Sequence, residues 1–145
     1  MKRVGPSSAF LIALLVGVCL GAPARAGEAL ALIVGNDEGL AGEAELQYAE
    51  RDARKVKRAL VEAGSVSKGN AALVLGASAG RIRSAFDALR KTSRPDDTVI
   101  LFFSSHGSSR GLHLSGEVFG WQQLRSEIES VNARVVVAFV DACQS

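Results

Sequence analysis

The run Arg134-Val135-Val136-Val137-Ala138-Phe139-Val140-Asp141-Ala142-Cys143-Gln144-Ser145 closes this sequence of 145 residues. An unbroken series of apolar and β-branched residues predicts a buried strand of a parallel sheet. In α/β proteins, sites lie at the carboxyl ends of such strands. The run therefore predicts that the thiol of Cys143 lies at the carboxyl edge of a parallel sheet.

A second run, Thr98-Val99-Ile100-Leu101-Phe102-Phe103, has the same design and is followed by Ser104-Ser105-His106-Gly107. If both strands are parallel, His106 and Cys143 follow equivalent strand ends. This is the arrangement expected of a cysteine nucleophile and its histidine base.

The rest of the chain alternates between strand and helix patterns. The predicted strands are 29–34, 71–75, 98–103 and 134–140, and the predicted helices are 46–63, one capped by Ser78 and one beginning at Trp121. This order predicts one α/β domain, with a mostly parallel sheet and helices on both faces. Its parallel strands would bring Asn36, His106 and Cys143 to one edge.

Three side chains outside these strand ends are interpreted structurally. Phe86 and Trp121 are predicted in the core, because aromatic residues at helical spacing usually pack there. The segment 112–117 predicts a small edge hairpin, with His113 as a structural residue at the surface.

The N-terminal segment has the pattern of a signal peptide. Met1-Lys2-Arg3 is positive, residues 9–20 are apolar and uncharged, and Ala24-Arg25-Ala26 fits a cleavage site. The apolar core is shorter than the roughly 20 residues that span a bilayer, so we expect no stable membrane span. The sequence thus predicts a signal peptide over 1–26, a mature domain over 27–145, and export to the periplasm or outside the cell.

Removal of this segment changes charge and thiol content. The formal charge falls from +2 to −1, so basicity gives no reason to expect a nucleic-acid partner. Cys19 would leave with the peptide, which makes Cys143 the remaining thiol of the mature chain. A single thiol in an exported protein cannot form an internal disulfide and is a candidate reactive group.

The segment Gly76-Ala77-Ser78-Ala79-Gly80 raises an alternative, because it fits the G-x-S-x-G pattern of serine hydrolases. Asp96 and Asp97 precede the strand whose far end carries His106, and a strand of that length spans roughly 20 Å. They could not orient that imidazole, so Ser78 is favoured as a helix cap. The sequence has no P-loop, H-E-x-x-H motif or cysteine cluster, and we predict no cofactor and no metal.

Three segments together resemble the signatures of caspase-like cysteine peptidases: Leu46-Gln47-Tyr48-Ala49-Glu50-Arg51-Asp52-Ala53, Ser105-His106-Gly107 and Asp141-Ala142-Cys143-Gln144-Ser145. The likeness is nearer to bacterial caspase-like proteins and metacaspases than to animal caspases, because Asp141 precedes the Cys by two positions. It implies a three-layer caspase-like sandwich and a cysteine-type endopeptidase acting on a protein or peptide substrate.

The resemblance also implies a role for each site residue. Cys143 would attack the scissile carbonyl, and His106 would generate the thiolate or protonate the leaving amine. The backbone N–H groups of Gly107 and Cys143 would form the oxyanion hole. Asp52 and Asp141 would line the specificity pocket and favour cleavage after Arg or Lys. Alternatively, Asp52 lies on the polar side of its helix and Asp141 bonds loop amides.

The sequence stops at Ser145, where the family continues through further strands. We therefore expect a catalytic domain that is incomplete at its C-terminus, with self-association through the incomplete sheet. A catalytically silent caspase-like interaction domain is the competing hypothesis.

Overall fold

The computed structural model describes residues 26–142. The predicted signal peptide, apart from Ala26, and the predicted nucleophile Cys143 lie outside the described residues.

A four-stranded parallel sheet forms the centre of the molecule. Its strands run in the order β2-β1-β3-β7, and they are β1 (Ala29–Gly35), β2 (Ala71–Leu75), β3 (Thr98–Ser104) and β7 (Val135–Asp141). The remaining elements are α1 (Ala49–Glu62), α2 (Ala79–Thr92), β4 (His106–Ser108), β5 (Gly111–Leu114), β6 (Glu117–Gly120) and α3 (Trp121–Glu129). The predicted α/β class, the mostly parallel sheet and the strand positions are confirmed.

Each face of the main sheet packs against its own apolar core, because successive side chains of a strand point to opposite faces. On one face, Leu32 of β1 and Leu101 of β3 pack with residues of α2, α3 and the smaller sheet that β4, β5 and β6 form. On the other face, Ile33 of β1 packs with Ala53 of α1. Successive residues of a strand point to opposite faces, and both faces of the inner strands are covered. Helices therefore lie on both sides, as predicted.

The first helix begins at Ala49, three residues later than predicted. The Leu46 N–H donates to the carbonyl oxygen of Asp37, and the Glu50 N–H donates to the Asp37 carboxylate at 3.0 Å. The first turn of α1 is thus capped by a residue from the preceding loop. A cap supplied from so far along the chain leaves no local pattern in the helix sequence.

The second helix begins as predicted. Ser78 is its N-cap, and its hydroxyl accepts the Arg81 N–H at 3.4 Å. Phe86 is fully buried and stacks on Phe103 of β3, with ring centroids 6.2 Å apart. The prediction that Phe86 belongs to the core is confirmed.

The predicted edge hairpin is larger than expected, and two side-chain predictions in this region were wrong. Strands β4, β5 and β6 form a separate antiparallel sheet, whose first strand begins at His106. His113 is buried, with 4% of its surface exposed, and it is bonded to Glu43 of the loop between β1 and α1. Trp121 is 36% exposed, and its indole N–H donates to the carbonyl oxygen of Ser108.

Strand β7 is in the predicted position, but it is not buried. Among the described strands it pairs with β3 alone, and Val137 and Phe139 are 39% and 55% exposed. Helix α1 packs mainly against β1, β2 and β3, which leaves these two side chains of β7 exposed. An unbroken apolar sequence predicts burial, while a position at the edge of the sheet prevents it.

Candidate active site

The carboxyl ends of three parallel strands lie level at one edge of the main sheet. Gly35 of β1 is paired with Ser104 of β3, which is paired in turn with Asp141 of β7. Beyond the strand ends, the Asn36 N–H donates to the carbonyl oxygen of Ser104 at 2.9 Å, and the Ser105 N–H donates to that of Asp141 at 3.2 Å. The meeting of these strand ends at one edge is therefore as predicted.

A cleft opens at this edge between α1 and the ends of β3 and β7. Its volume is about 270 Å³, and we call it the site cleft. Its lining residues are Leu46, Gln47, Tyr48, Ala49, Asp52, Ser104, Ser105, His106 and Asp141. The structure thus brings together three of the predicted site residues, His106, Asp52 and Asp141, from different parts of the chain. Cys143 follows Asp141 by two residues in the sequence and lies outside the described residues.

The imidazole of His106 is oriented by a backbone carbonyl. Its Nε2 lies 2.7 Å from the carbonyl oxygen of Ala44. A carbonyl oxygen can only accept, so Nε2 carries a proton and, in the neutral ring, Nδ1 holds the lone pair. Gly107 follows in β4 and is buried. A ring fixed in this tautomer can accept a proton at Nδ1.

Asp52 lines the site cleft and also lies within reach of cations of its own helix. Its Oδ1 is 3.0 Å from Lys55 Nζ and 4.0 Å from Arg51 Nε, and its side chain is 40% exposed. The guanidinium of Arg51 also stacks on the ring of Tyr48 at 4.1 Å. The sequence analysis offered two alternatives for Asp52, a place in the specificity pocket or a place on the polar side of its helix. In the structure Asp52 lines the cleft and is also partly exposed on its helix.

Asp141 is bonded to a neighbouring strand rather than to loop amides. Its Oδ2 accepts from the Ser104 hydroxyl at 3.4 Å, and the residue is exposed. The two cleft carboxylates therefore differ, because Asp52 has cationic partners while Asp141 has a neutral hydroxyl.

A second histidine lies close to His106 and was not predicted in the site. His113 Nδ1 is 2.7 Å from Glu43 Oε1, and His113 Nε2 is 2.9 Å from the Ser108 hydroxyl. The other oxygen of Glu43 accepts the Leu40 N–H at 2.6 Å. These bonds, that from Leu40 foremost, hold the pKa of Glu43 below its ordinary value. Glu43 and His113 are far apart in the chain, so local sequence carries no signal for their pairing.

The serine-hydrolase alternative is not supported by the positions of its residues. The Ser78 hydroxyl is used as a helix cap. The Asp97 carboxylate accepts the N–H groups of Glu28 and Arg94 at the start of β3, whereas His106 follows the opposite end of that strand. The three groups therefore do not form a triad in the structure.

Within residues 26–142, no three His, Cys, Asp or Glu side chains come together in a way that could hold a metal ion. In the same range, none of the helices has both the length and the apolar character needed to cross a membrane.

The parallel α/β sheet carries an imidazole and two carboxylates at its carboxyl edge, an arrangement consistent with a caspase-like domain. The family model of the caspase domain matches residues 28–145, and the chain belongs to that family. No curated protein shows significant similarity in sequence.

A solved structure supports the fold. The crystal structure of protein GSU0716 from Geobacter sulfurreducens is similar to this chain with a TM-score of 0.68 and 20% sequence identity. The likeness covers 80% of this chain and 50% of that chain. The chain therefore matches about half the length of that protein, and at this identity the likeness concerns the fold alone.

Proposed function

We propose that this chain carries the catalytic residues of a cysteine-type endopeptidase, with Cys143 as nucleophile and His106 as its acid–base partner. The observation that carries the proposal is the site cleft, where His106 and Asp141 lie together at the strand end that immediately precedes Cys143. Membership of the caspase domain family supports the same chemistry.

In this mechanism the Cys143 thiolate attacks the carbonyl carbon of the scissile peptide bond. The backbone N–H groups of Gly107 and Cys143 stabilise the resulting oxyanion. The C–N bond then breaks, and His106 delivers a proton to the leaving amine. Water attacks the thioester while His106 takes its proton, which releases the carboxylic acid and restores the thiol. The bond from His106 Nε2–H to Ala44 supports this role, because it leaves Nδ1 to exchange the proton.

The proposed substrates are proteins or peptides cleaved after Arg or Lys. Asp141 has a neutral hydroxyl as its bonded partner, so its carboxylate would attract an arginine or lysine side chain in the cleft, and Asp52 would add less because Lys55 lies 3.0 Å away. An aspartate side chain would add a third negative charge. Asp52 and Asp141 therefore favour a basic residue before the scissile bond.

The reactivity of Cys143 tests this proposal. Iodoacetamide at neutral pH, with the label located by mass spectrometry, is expected to modify Cys143 of the native protein faster than a model thiol. His106→Ala is expected to slow labelling by about 10-fold, because the thiolate is the reactive form and His106 stabilises it. The control Ser78→Ala should leave labelling unchanged. Equal rates for wild type and a folded His106→Ala variant would reject the dyad, and loss of peptidase activity in Ser78→Ala would favour a serine hydrolase.

A catalytically silent interaction domain is the second candidate function. The exposed apolar face of β7, with Phe139 at 55% exposure, favours it, because such a surface can bind another polypeptide. Slow, His106-independent labelling together with no hydrolysis of Arg or Lys peptides would support this candidate.

We propose in addition that the protein is exported. The basic Met1-Lys2-Arg3, the apolar segment 9–20 and the site Ala24-Arg25-Ala26 support cleavage by a signal peptidase. Mass spectrometry of the exported product should find Gly27 as its first residue. A product that begins at Met1 would contradict export through this route and would retain Cys19.

A further inference from the structure

A hydrogen-bonded series of three side chains, Glu43, His113 and Ser108, lies beside His106. The buried imidazole of His113 lies between the carboxylate of Glu43, at 2.7 Å, and the hydroxyl of Ser108, at 2.9 Å. Ser108 belongs to β4, the strand that begins with His106. The series therefore connects the loop before α1 to the strand that carries the predicted catalytic histidine.

Glu43 immediately precedes Ala44, whose carbonyl oxygen orients His106. The loop is also attached by backbone bonds, in which Ser115 and Gly116 donate to the carbonyl oxygens of Glu38 and Gly39 at 3.1 and 2.9 Å. Those bonds fix the beginning of the loop. A further attachment is the Glu43 side chain, which bonds His113 of β5. Glu43 is adjacent to Ala44 in the sequence, so this attachment is the nearest to the Ala44 carbonyl.

The loop packs closely on the His106 ring as well. A Cβ added at Gly39 would lie 2.7 Å from Cδ2 of His106 and 2.2 Å from Oε2 of Glu43. The ring, the Glu43 carboxylate and the loop backbone thus share one tightly packed space. A change in the position of Glu43 would alter the surroundings of His106 directly.

We propose that Glu43 and His113 are positioning residues for His106, which act by holding the Ala44 carbonyl where it accepts the His106 Nε2–H. Glu43 bonds His113 through one oxygen and the Leu40 N–H through the other, so a single carboxylate holds the loop and β5 together. The consequence for cysteine reactivity rests on the proposed function, whereas the consequence for the His106 ring does not.

The two histidines can be distinguished by their tautomers. A carbonyl fixes the proton of His106 on Nε2, and a carboxylate fixes a proton of His113 on Nδ1. These are the two histidines of the whole sequence. A two-bond ¹H–¹⁵N correlation spectrum of the full-length, ¹⁵N-labelled protein therefore reports on both rings.

Glu43→Ala and Glu45→Ala form a matched pair of variants. Both remove a glutamate adjacent to Ala44, but Glu45 is exposed and makes no hydrogen bond or ion pair among the residues that the structure describes. Glu43→Gln is a milder third variant, because its amide keeps one acceptor oxygen and nearly the same shape. Thermal melting shows which variants remain folded.

In Glu43→Ala, the His106 signals are expected to change from the Nε2–H pattern to a mixture of tautomers. Labelling of Cys143 should slow by about 10-fold or more, since small misplacements of a catalytic group are costly. Glu43→Gln should be intermediate, and Glu45→Ala should match wild type in both measurements. Unchanged His106 signals in a folded Glu43→Ala variant would overturn the proposal. If labelling proves independent of His106 while its tautomer still responds to Glu43→Ala, the positioning role stands and the proposed peptidase function fails.

Discussion

At the scale of single residues, the two carboxylates of the site cleft are electrostatically unequal. Lys55 lies 3.0 Å from Asp52 on the same helix, while the bonded partner of Asp141 is the neutral hydroxyl of Ser104. A carboxylate that already has a cation attracts a second one less strongly. The preference for a basic substrate residue should therefore depend more on Asp141 than on Asp52.

The first prediction concerns paired peptides that differ in Arg or Asp before the scissile bond. Asp141→Ala should lower the Arg-over-Asp ratio of kcat/KM by about 5-fold, the equivalent of roughly 1 kcal/mol for a partly exposed charge pair. Asp52→Ala should lower it less. A ratio that Asp141→Ala leaves unchanged, or a wild-type preference for Asp, would show that these carboxylates do not set specificity.

The second prediction concerns acid stability. Hydrogen bonds from the Leu40 N–H and His113 lower the pKa of Glu43 in the folded chain below its ordinary value of 4.5. As pH falls, the Glu43 carboxylate is therefore protonated at a higher pH in the unfolded chain than in the folded one. The contribution of Glu43 to the free energy of unfolding is present above about pH 4.5 and is lost as pH falls through the folded pKa. Urea unfolding should find Glu43→Gln less stable than wild type at pH 7, with the difference shrinking below pH 4.5. Glu45→Gln is the control and should show no such trend.

At the scale of secondary structure, the site depends on close packing of α1 against β1. A Cβ at Gly35 would lie 2.7 Å from both the carbonyl oxygen of Ala49 and the Cβ of Ala53. Glycine at the end of β1 therefore permits α1 to approach, and α1 carries Asp52 into the cleft. Helix position and site geometry are set by the same contact.

The third prediction compares two glycine substitutions. Gly35→Ala should destabilise the protein by about 1–3 kcal/mol, because the added methyl group meets backbone atoms in a packed region. Gly80→Ala, in the first turn of α2, meets no heavy atom closer than 3.8 Å and should instead stabilise by roughly 0.5–1 kcal/mol. Urea unfolding measures both. Equal stability of Gly35→Ala and wild type would mean that α1 does not pack against β1 as closely as described.

At the scale of the whole molecule, strand β7 exposes several apolar side chains. Val135, Val137 and Phe139 lie on the side of the sheet where α1 covers the inner strands, and all three are exposed. Solvent contact of such a strand is unfavourable, and its second edge, which pairs with no strand within residues 26–142, can pair with another chain.

The fourth prediction is that residues 27–145 self-associate. Light scattering should give an apparent mass that rises with protein concentration. Phe139→Ser should reduce this rise, because it removes the single aromatic side chain of β7, which is exposed. Tyr48→Ser is the matched control, since Tyr48 is similarly exposed, at 51%, but lies on another surface. A monodisperse monomer at all concentrations would contradict self-association through β7.

The sequence by itself determined where the four strands of the main sheet lie along the chain and that they run parallel. Alternating and continuous apolar patterns are local properties, so 71–75 was predicted without error and β1 and β3 to within one residue. Parallel pairing then places residues that follow strand ends at one edge, which is the basis for predicting Asn36, His106 and Cys143 there. The resemblance to caspase-like motifs added Asp52 and Asp141, and both line the site cleft with His106.

Contacts between distant parts of the chain were decided by the tertiary structure alone. Asp37 caps α1 from the far end of the preceding loop, 13 residues before Glu50, so the start of the helix was predicted too early. Glu43 bonds His113 from 70 residues away, and the histidine predicted at the surface is buried in the strand paired with the one that carries His106. Strand β7 has a core-like sequence but lies at the edge of the sheet formed by the described strands, because pairing order rather than composition sets which strand is covered.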